Sequence, residues 1–173
     1  MTGKFVVIFT LVAALIVGGA IYYLQVYAYY RELAYHPGDV TLVLRATGQP
    51  EEISVADYRA IDADSSPLRY RACFTVTATP DAIDRTYEPY GGPEPLTGPG
   101  WFDCYDAGRI TEALETGEAR AFLARKNIEY GVDRVIAIFR NGRAYAWHQL
   151  NKCGELDYAG NPVGEACPPR EER

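Results

Sequence analysis

The chain has 173 residues, 48% hydrophobic and 23% charged, which is globular rather than disordered composition. Its 17 Lys and Arg face 23 Asp and Glu, and a net charge of −6 repels phosphate backbones, so nucleic acid is excluded as a partner. With four cysteines, two histidines and no H-E-x-x-H, G-x-S-x-G or phosphate-cradling glycine loop, no resident metal or cofactor is expected.

Residues 5–24 carry no formal charge, and after Lys4 the next charge is Arg31. A hydrocarbon core of about 30 Å needs roughly twenty apolar residues at 1.5 Å rise each, so this stretch is long enough to span. Tyr22, Tyr23, Tyr27, Tyr29 and Tyr30 crowd its C-terminal end, where amphipathic rings sit among headgroups. Thr10, Ala14 and Gly18 recur every fourth residue, a small-residue stripe that predicts a homodimer through the anchor. Gly18 and Ala20 also form the small-x-small pattern of a signal-peptide cleavage site, but the run continues into the tyrosine belt, which favours an uncleaved anchor. All four cysteines, Cys73, Cys104, Cys153 and Cys167, lie beyond it, and none forms a C-x-x-C pair. Two disulfides in an exported domain follow, which sets the N-terminus in the cytoplasm and the domain outside.

The expected organisation is a head, span and interfacial extension over residues 1–36, a domain over 37–167 and a tail over 168–173. Pro37-Gly38-Asp39 is a turn, and 40–45 alternates as a short strand. Ser54 and Asp57 offer a helix start, with Val55, Tyr58 and Ile61 on one face of one or two turns. Residues 68–79 read as a strand, with Leu68, Tyr70, Ala72, Phe74 and Val76 facing a core and Cys73 on the polar face. Residues 87–103, with four prolines and four glycines, form a long loop that the aromatics after it tie down. Four cysteines allow three pairings; Cys73–Cys104 pinning this loop across the sheet, with Cys153–Cys167 closing the last loop, is the preferred one. Residues 106–127 read as a helix broken or kinked at Gly117. Asn141-Gly142 between two apolar runs predicts a two-residue hairpin turn that pairs Ile138 with Tyr145, Ile136 with Trp147 and Val135 with His148. The fold class is therefore α+β: a transmembrane helix, then a small domain with an antiparallel sheet of about four strands and two or three short helices on one face.

The densest chemical cluster is 101–106, Trp-Phe-Asp-Cys-Tyr-Asp. Asp103 and Asp106, with His148, are the weak candidates for a hydrolytic or cation-assisted site, although Asp106 is placed to cap a helix. Glu155, Asp157, Asn161 and Glu165 supply oxygens without the order of a calcium loop. Short head, single span, the Arg-Ala-Cys-Phe strand, the 101–106 segment and the Asn-Gly hairpin together resemble a family of small, single-span, membrane-anchored bacterial proteins of unknown function. That resemblance implies a bacterial inner-membrane protein with a periplasmic domain and supplies no catalytic residues. The expected function is a non-enzymatic accessory or binding module docking on a membrane or envelope protein. Tyr90, Trp101, Phe102 and Tyr105 are its expected contact surface, and an envelope enzyme is the alternative.

Overall fold

The computed structural model describes residues 2–169; Met1 and the last four residues of the expected tail lie outside the described residues. Helix α1, Thr2–Tyr23, is apolar on every face and runs into a wider π-type turn, Leu24–Ala28. The stretch Gly3–Ala28 is long and apolar enough to cross a membrane, and none of it is buried by the rest of the chain. The chain then enters strand β1, Arg31–Leu33, with no free linker between.

Seven further strands follow: β2 Thr41–Val43, β3 Pro50–Glu52, β4 Val55–Asp62, β5 Arg71–Val76, β6 Ala119–Glu129, β7 Val132–Phe139 and β8 Arg143–Leu150. The main sheet is antiparallel and six-stranded, in the order β1-β4-β5-β8-β7-β6, rather than the four strands expected. The β2–β3 hairpin stands apart, and residues 87–90 stitch it to the sheet through bridges Leu44–Tyr87 and Pro89–Phe122.

Two of the extra strands replace expected helices. In β4, Asp57 takes φ 54° and the register with β5 slips between Ala56 and Arg59. This bulge inserts one residue, so Val55 and Tyr58, three apart, face the same core and imitate a helical spacing. The second expected helix stops early: α3 covers Ala107–Thr116, and Gly117 at φ 73° ends it in the left-handed conformation that glycine adopts freely. Beyond it, β6 buries Phe122 and Ala124 on one face and Ala119 and Ala121 on the other. A strand covered on both sides shows no polar–apolar alternation, which is why its sequence read as a helix.

The Asn141-Gly142 hairpin forms, one residue out of the expected register. Gly142 alone takes positive φ, 85°, and its N–H bonds to Phe139 O, so the loop has three residues. The pairs are Ile138 with Ala144, Ala137 with Tyr145, Ile136 with Ala146, Val135 with Trp147 and Arg134 with His148. Every side chain of β8 therefore changes face relative to the expectation. One face of the sheet packs Ala72, Phe74, Ile136 and Ile138 on the hairpin's Val40, Leu42 and Ile53 and on Ile83. Ile83 belongs to α2, Pro80–Thr86, a short helix opened by its proline. The opposite face packs Cys73, Val135, Ala137 and Trp147 on Ile110 of α3 and on Phe102 and Tyr105 of the long loop. Helices thus cover both faces rather than one.

Candidate functional site

The long loop carries the aromatic cluster, and three clamps hold it to the sheet. The first is the Cys73–Cys104 bridge; the second disulfide joins Cys153 and Cys167. The second clamp is Arg71, buried in the sheet with carbonyls as its partners. Its Nε donates to Leu96 O at 2.8 Å, Nη2 to Thr97 O at 3.1 Å, and Nη1 to Leu68 O and Tyr70 O. Burial lowers the Arg71 guanidinium from its ordinary value, with the Tyr105 ring 5.7 Å away as a further partner. The third clamp is Gln149, whose Oε1 accepts from Glu94 N and Trp147 Nε1 while its Nε2 donates to Gly92 O.

So held, the cluster points inward. Phe102 and Tyr105 are buried, and Tyr90 and Trp101 are half-buried against the same core, so these four do not make an open contact face. Their rings exclude water from Trp147 and the disulfide. Trp101 has a second role: its Nε1 donates to Val26 O at 2.7 Å, in the turn that ends the apolar helix. Beside it Arg69 donates to Gln25 O, Gln25 Oε1 and Tyr30 Oη, and lies 5.4 Å from the Tyr30 ring centre. Carbonyls at the end of a helix lack intrahelical donors and carry the negative end of its dipole, so an arginine and an indole N–H are the partners they need. The domain is therefore fastened to the exit of the helix.

The three residues of the expected enzyme site occupy separate places. Asp103 is exposed and pairs with Arg59 at 2.9 Å; with Cys104, Arg143 and Tyr145 it lines a shallow recess of about 390 Å³. Asp106 caps α3 by accepting from Arg109 N at 3.1 Å. His148 lies at the other end of β8, in a recess of about 550 Å³ with Asp62, Ser66 and Arg134. Its Nε2 accepts from Arg134 Nε at 3.0 Å, so the ring proton sits on Nδ1 and donates to Pro67 O at 2.6 Å. Tyr70 stacks on the ring at 4.7 Å. Burial, helped by Arg134, pulls the imidazole down to about 4, so it is neutral at physiological pH with both nitrogens engaged. Burial pushes the Asp62 carboxyl up, against the Ala63 N–H and the charges of Arg31 and Arg134.

A second saturated polar centre is Asp133, fully buried at the start of β7. Oδ2 accepts from Tyr90 Oη and Lys126 Nζ, and Oδ1 from Asn127 N and Asn151 Nδ2. Burial pulls the Lys126 ammonium down, but its bonds to Glu165 and Asp133 outweigh this and hold it above the ordinary lysine value. Tyr90, Lys126, Asn151 and Glu165 of this network line a cleft of about 760 Å³ between the long loop and the 151–167 segment. Asp157 is likewise engaged, accepting from Ala159 N and from Asn161 N and Nδ2. Among the described residues no group of three or more His, Cys, Asp or Glu is arranged to hold a metal ion. In the apolar helix, the Thr10 hydroxyl of the small-residue stripe donates to Val6 O, and Ala14 and Gly18 are exposed.

Sequence reading did not single out Arg69, Arg71, Asp133 or Gln149. Arg69 and Arg71 fall on the polar face of the 68–79 strand, the face expected to lie under the loop, with nothing along the chain to name their carbonyl partners, and Asp133 and Gln149 carry no local motif at all.

The sequence pattern of one protein family, described as a family of unknown function (DUF6446), matches residues 40–168. The chain belongs to that family. The DUF6446 match takes in the β2–β3 hairpin, both disulfides, all three loop clamps and the Asp133 centre, and begins after α1 and β1. No curated protein and no solved structure matches the chain.

Proposed function

We propose that this DUF6446 protein is a non-enzymatic accessory module, anchored by α1 in a bacterial inner membrane with its N-terminus cytoplasmic. Its domain, residues 37–167, stands in the periplasm and docks on a membrane or envelope protein, with the anchor stripe as a self-contact. The observation that carries this reading is the junction: Trp101 and Arg69 bond to the carbonyls of Val26 and Gln25, and β1 enters the sheet directly. A domain so fastened presents one surface at a fixed height and orientation over the bilayer, which suits docking on a neighbour in the same membrane. The two disulfides agree with an oxidising compartment.

The contact surface follows the outer side of the clamped loop, since the aromatics of the 101–106 cluster are turned inward. The enzymatic alternative is less favoured because Asp103, Asp106 and His148 have different partners and line no common recess. Purification from native membranes in a gentle detergent, after cross-linking, tests the proposal. The protein is expected to bring down one defined membrane or envelope protein, and Asp103→Asn, Asp106→Asn and His148→Gln together leave that capture intact. A protein recovered alone and monomeric overturns it.

A further inference from the structure

The 151–167 segment has an architecture of its own. Cys153–Cys167 closes it, and a Leu156–Pro162 bridge with the Asp157 hydrogen bonds folds its tip into a tight turn. Along this segment and at its root apolar side chains are left uncovered: Tyr158 is 105% exposed, and Leu150, Leu156 and Val163 are 66%, 57% and 59% exposed. Large apolar side chains left uncovered along one short segment mark an interaction surface.

Strand register says from which end of the sheet the segment leaves. Arg31, the first residue of β1, pairs with Asp62, and the same end of the sheet holds the Arg134–His148 pair. Arg69, one residue from the Tyr70 ring that stacks on His148, reaches Gln25 below the sheet. From His148, strand β8 runs on to Leu150, about 7 Å further toward the side from which α1 enters, at 3.3–3.4 Å per residue. The 151–167 segment continues from there. The opposite end of the sheet holds the Asn141-Gly142 turn and the end of α3.

We infer that the disulfide-closed 151–167 loop is a second membrane contact, with Leu150, Leu156, Tyr158 and Val163 entering the headgroup region of the bilayer beside the anchor. The inference rests on the reading of α1 as an anchor. The occupant is lipid because the segment continues from the anchor's own end of the sheet, the end at which the helix carries the exposed Tyr27 and Tyr29 of its aromatic collar. A preformed turn loses little conformational freedom on insertion, and a tyrosine with leucine and valine is the composition that settles at that depth. Two attachments, one at the helix exit and one across the base of the sheet, fix the tilt of the domain as well as its height. The Asn141-Gly142 end is then the surface turned away from the bilayer.

The test uses the full chain carrying Tyr158→Trp, reconstituted in phosphatidylcholine vesicles with and without bromine on the upper acyl chain. Glu115→Trp, on the exposed side of α3, is the control. Flotation is measured first. The expected result is that the emission added at position 158 is blue-shifted and lost to bromine, while that added at position 115 is unaffected. If the chain floats with the vesicles but the emission from position 158 stays water-like and unquenched, the inference is overturned and the anchor stands. If the chain does not float, the anchor reading fails and the inference falls with it.

Discussion

Acid should weaken this domain through one histidine, and the size of the effect can be worked out. An unperturbed histidine titrates near 6.5, whereas His148 is pulled to about 4 by burial and by Arg134. Between those values the unfolded chain binds a proton that the native ring refuses. The stability this supplies is complete above about pH 6.5 and is lost as pH falls toward 4, at about 1.36 kcal/mol per pH unit. Over the whole window the loss is about 3 kcal/mol, and between pH 6.5 and 5 it is about 2 kcal/mol. Asp62 acts with the opposite sign: its native carboxyl is raised by burial, so the folded state takes up that proton first. Comparing the parent with a His148 variant that keeps Asp62 therefore isolates His148. Urea unfolding of the full chain in detergent, followed by the fluorescence of the buried Trp147, is the assay. His148→Gln, which keeps a donor and an acceptor, should lack the His148-dependent loss. A ring that titrates near 6.5 by NMR, or identical pH dependence in the variant, would refute the reasoning.

Two further outcomes probe the loop clamps. Arg71→Ala removes the four carbonyl contacts and leaves a void, partly offset by relief of a buried charge; a loss of about 3 kcal/mol is expected. Limited proteolysis should then cut within residues 91–100 in the variant and spare the parent. Replacing Cys73 and Cys104 by serine opens a closure of sequence separation 31 and should lower stability by about 4 kcal/mol in the chain-entropy model, against about 3 kcal/mol for Cys153 and Cys167 at separation 14. Paired unfolding curves under oxidising conditions check the order, and an equal or reversed ranking would show that native contacts, not loop length, decide it.

The elements legible in the sequence were those with local causes. Twenty uncharged residues announce α1, Asp106 announces the start of α3, and Asn141-Gly142 announces a hairpin. The failures trace to double burial, a bulge and a turn. β6 and β4 lost their alternation to double burial and to a bulge, and were read as helices. The hairpin register was missed because Asn141 declines positive φ, and one residue moves Trp147 and Tyr145 to the opposite core. Of the site residues, His148, Asp103 and Asp106 were found by chemical type, yet type says nothing of company. His148 proves engaged at both nitrogens only because Pro67 and Arg134, distant in sequence, meet it.

By itself the sequence determined what depends on neighbours along the chain: an apolar helix with a tyrosine collar, an acidic domain with an even set of cysteines, and a loop too rich in proline and glycine to be regular. The tertiary structure decided what depends on residues brought from afar. Arg71 and Gln149 clamp the loop, Asp133 gathers four donors, and Trp101 turns from an expected contact residue into a bolt between domain and helix. The physical reason is that a buried charge or carbonyl is satisfied by whichever group the fold brings within hydrogen-bonding distance, and no spacing along the chain encodes that partner.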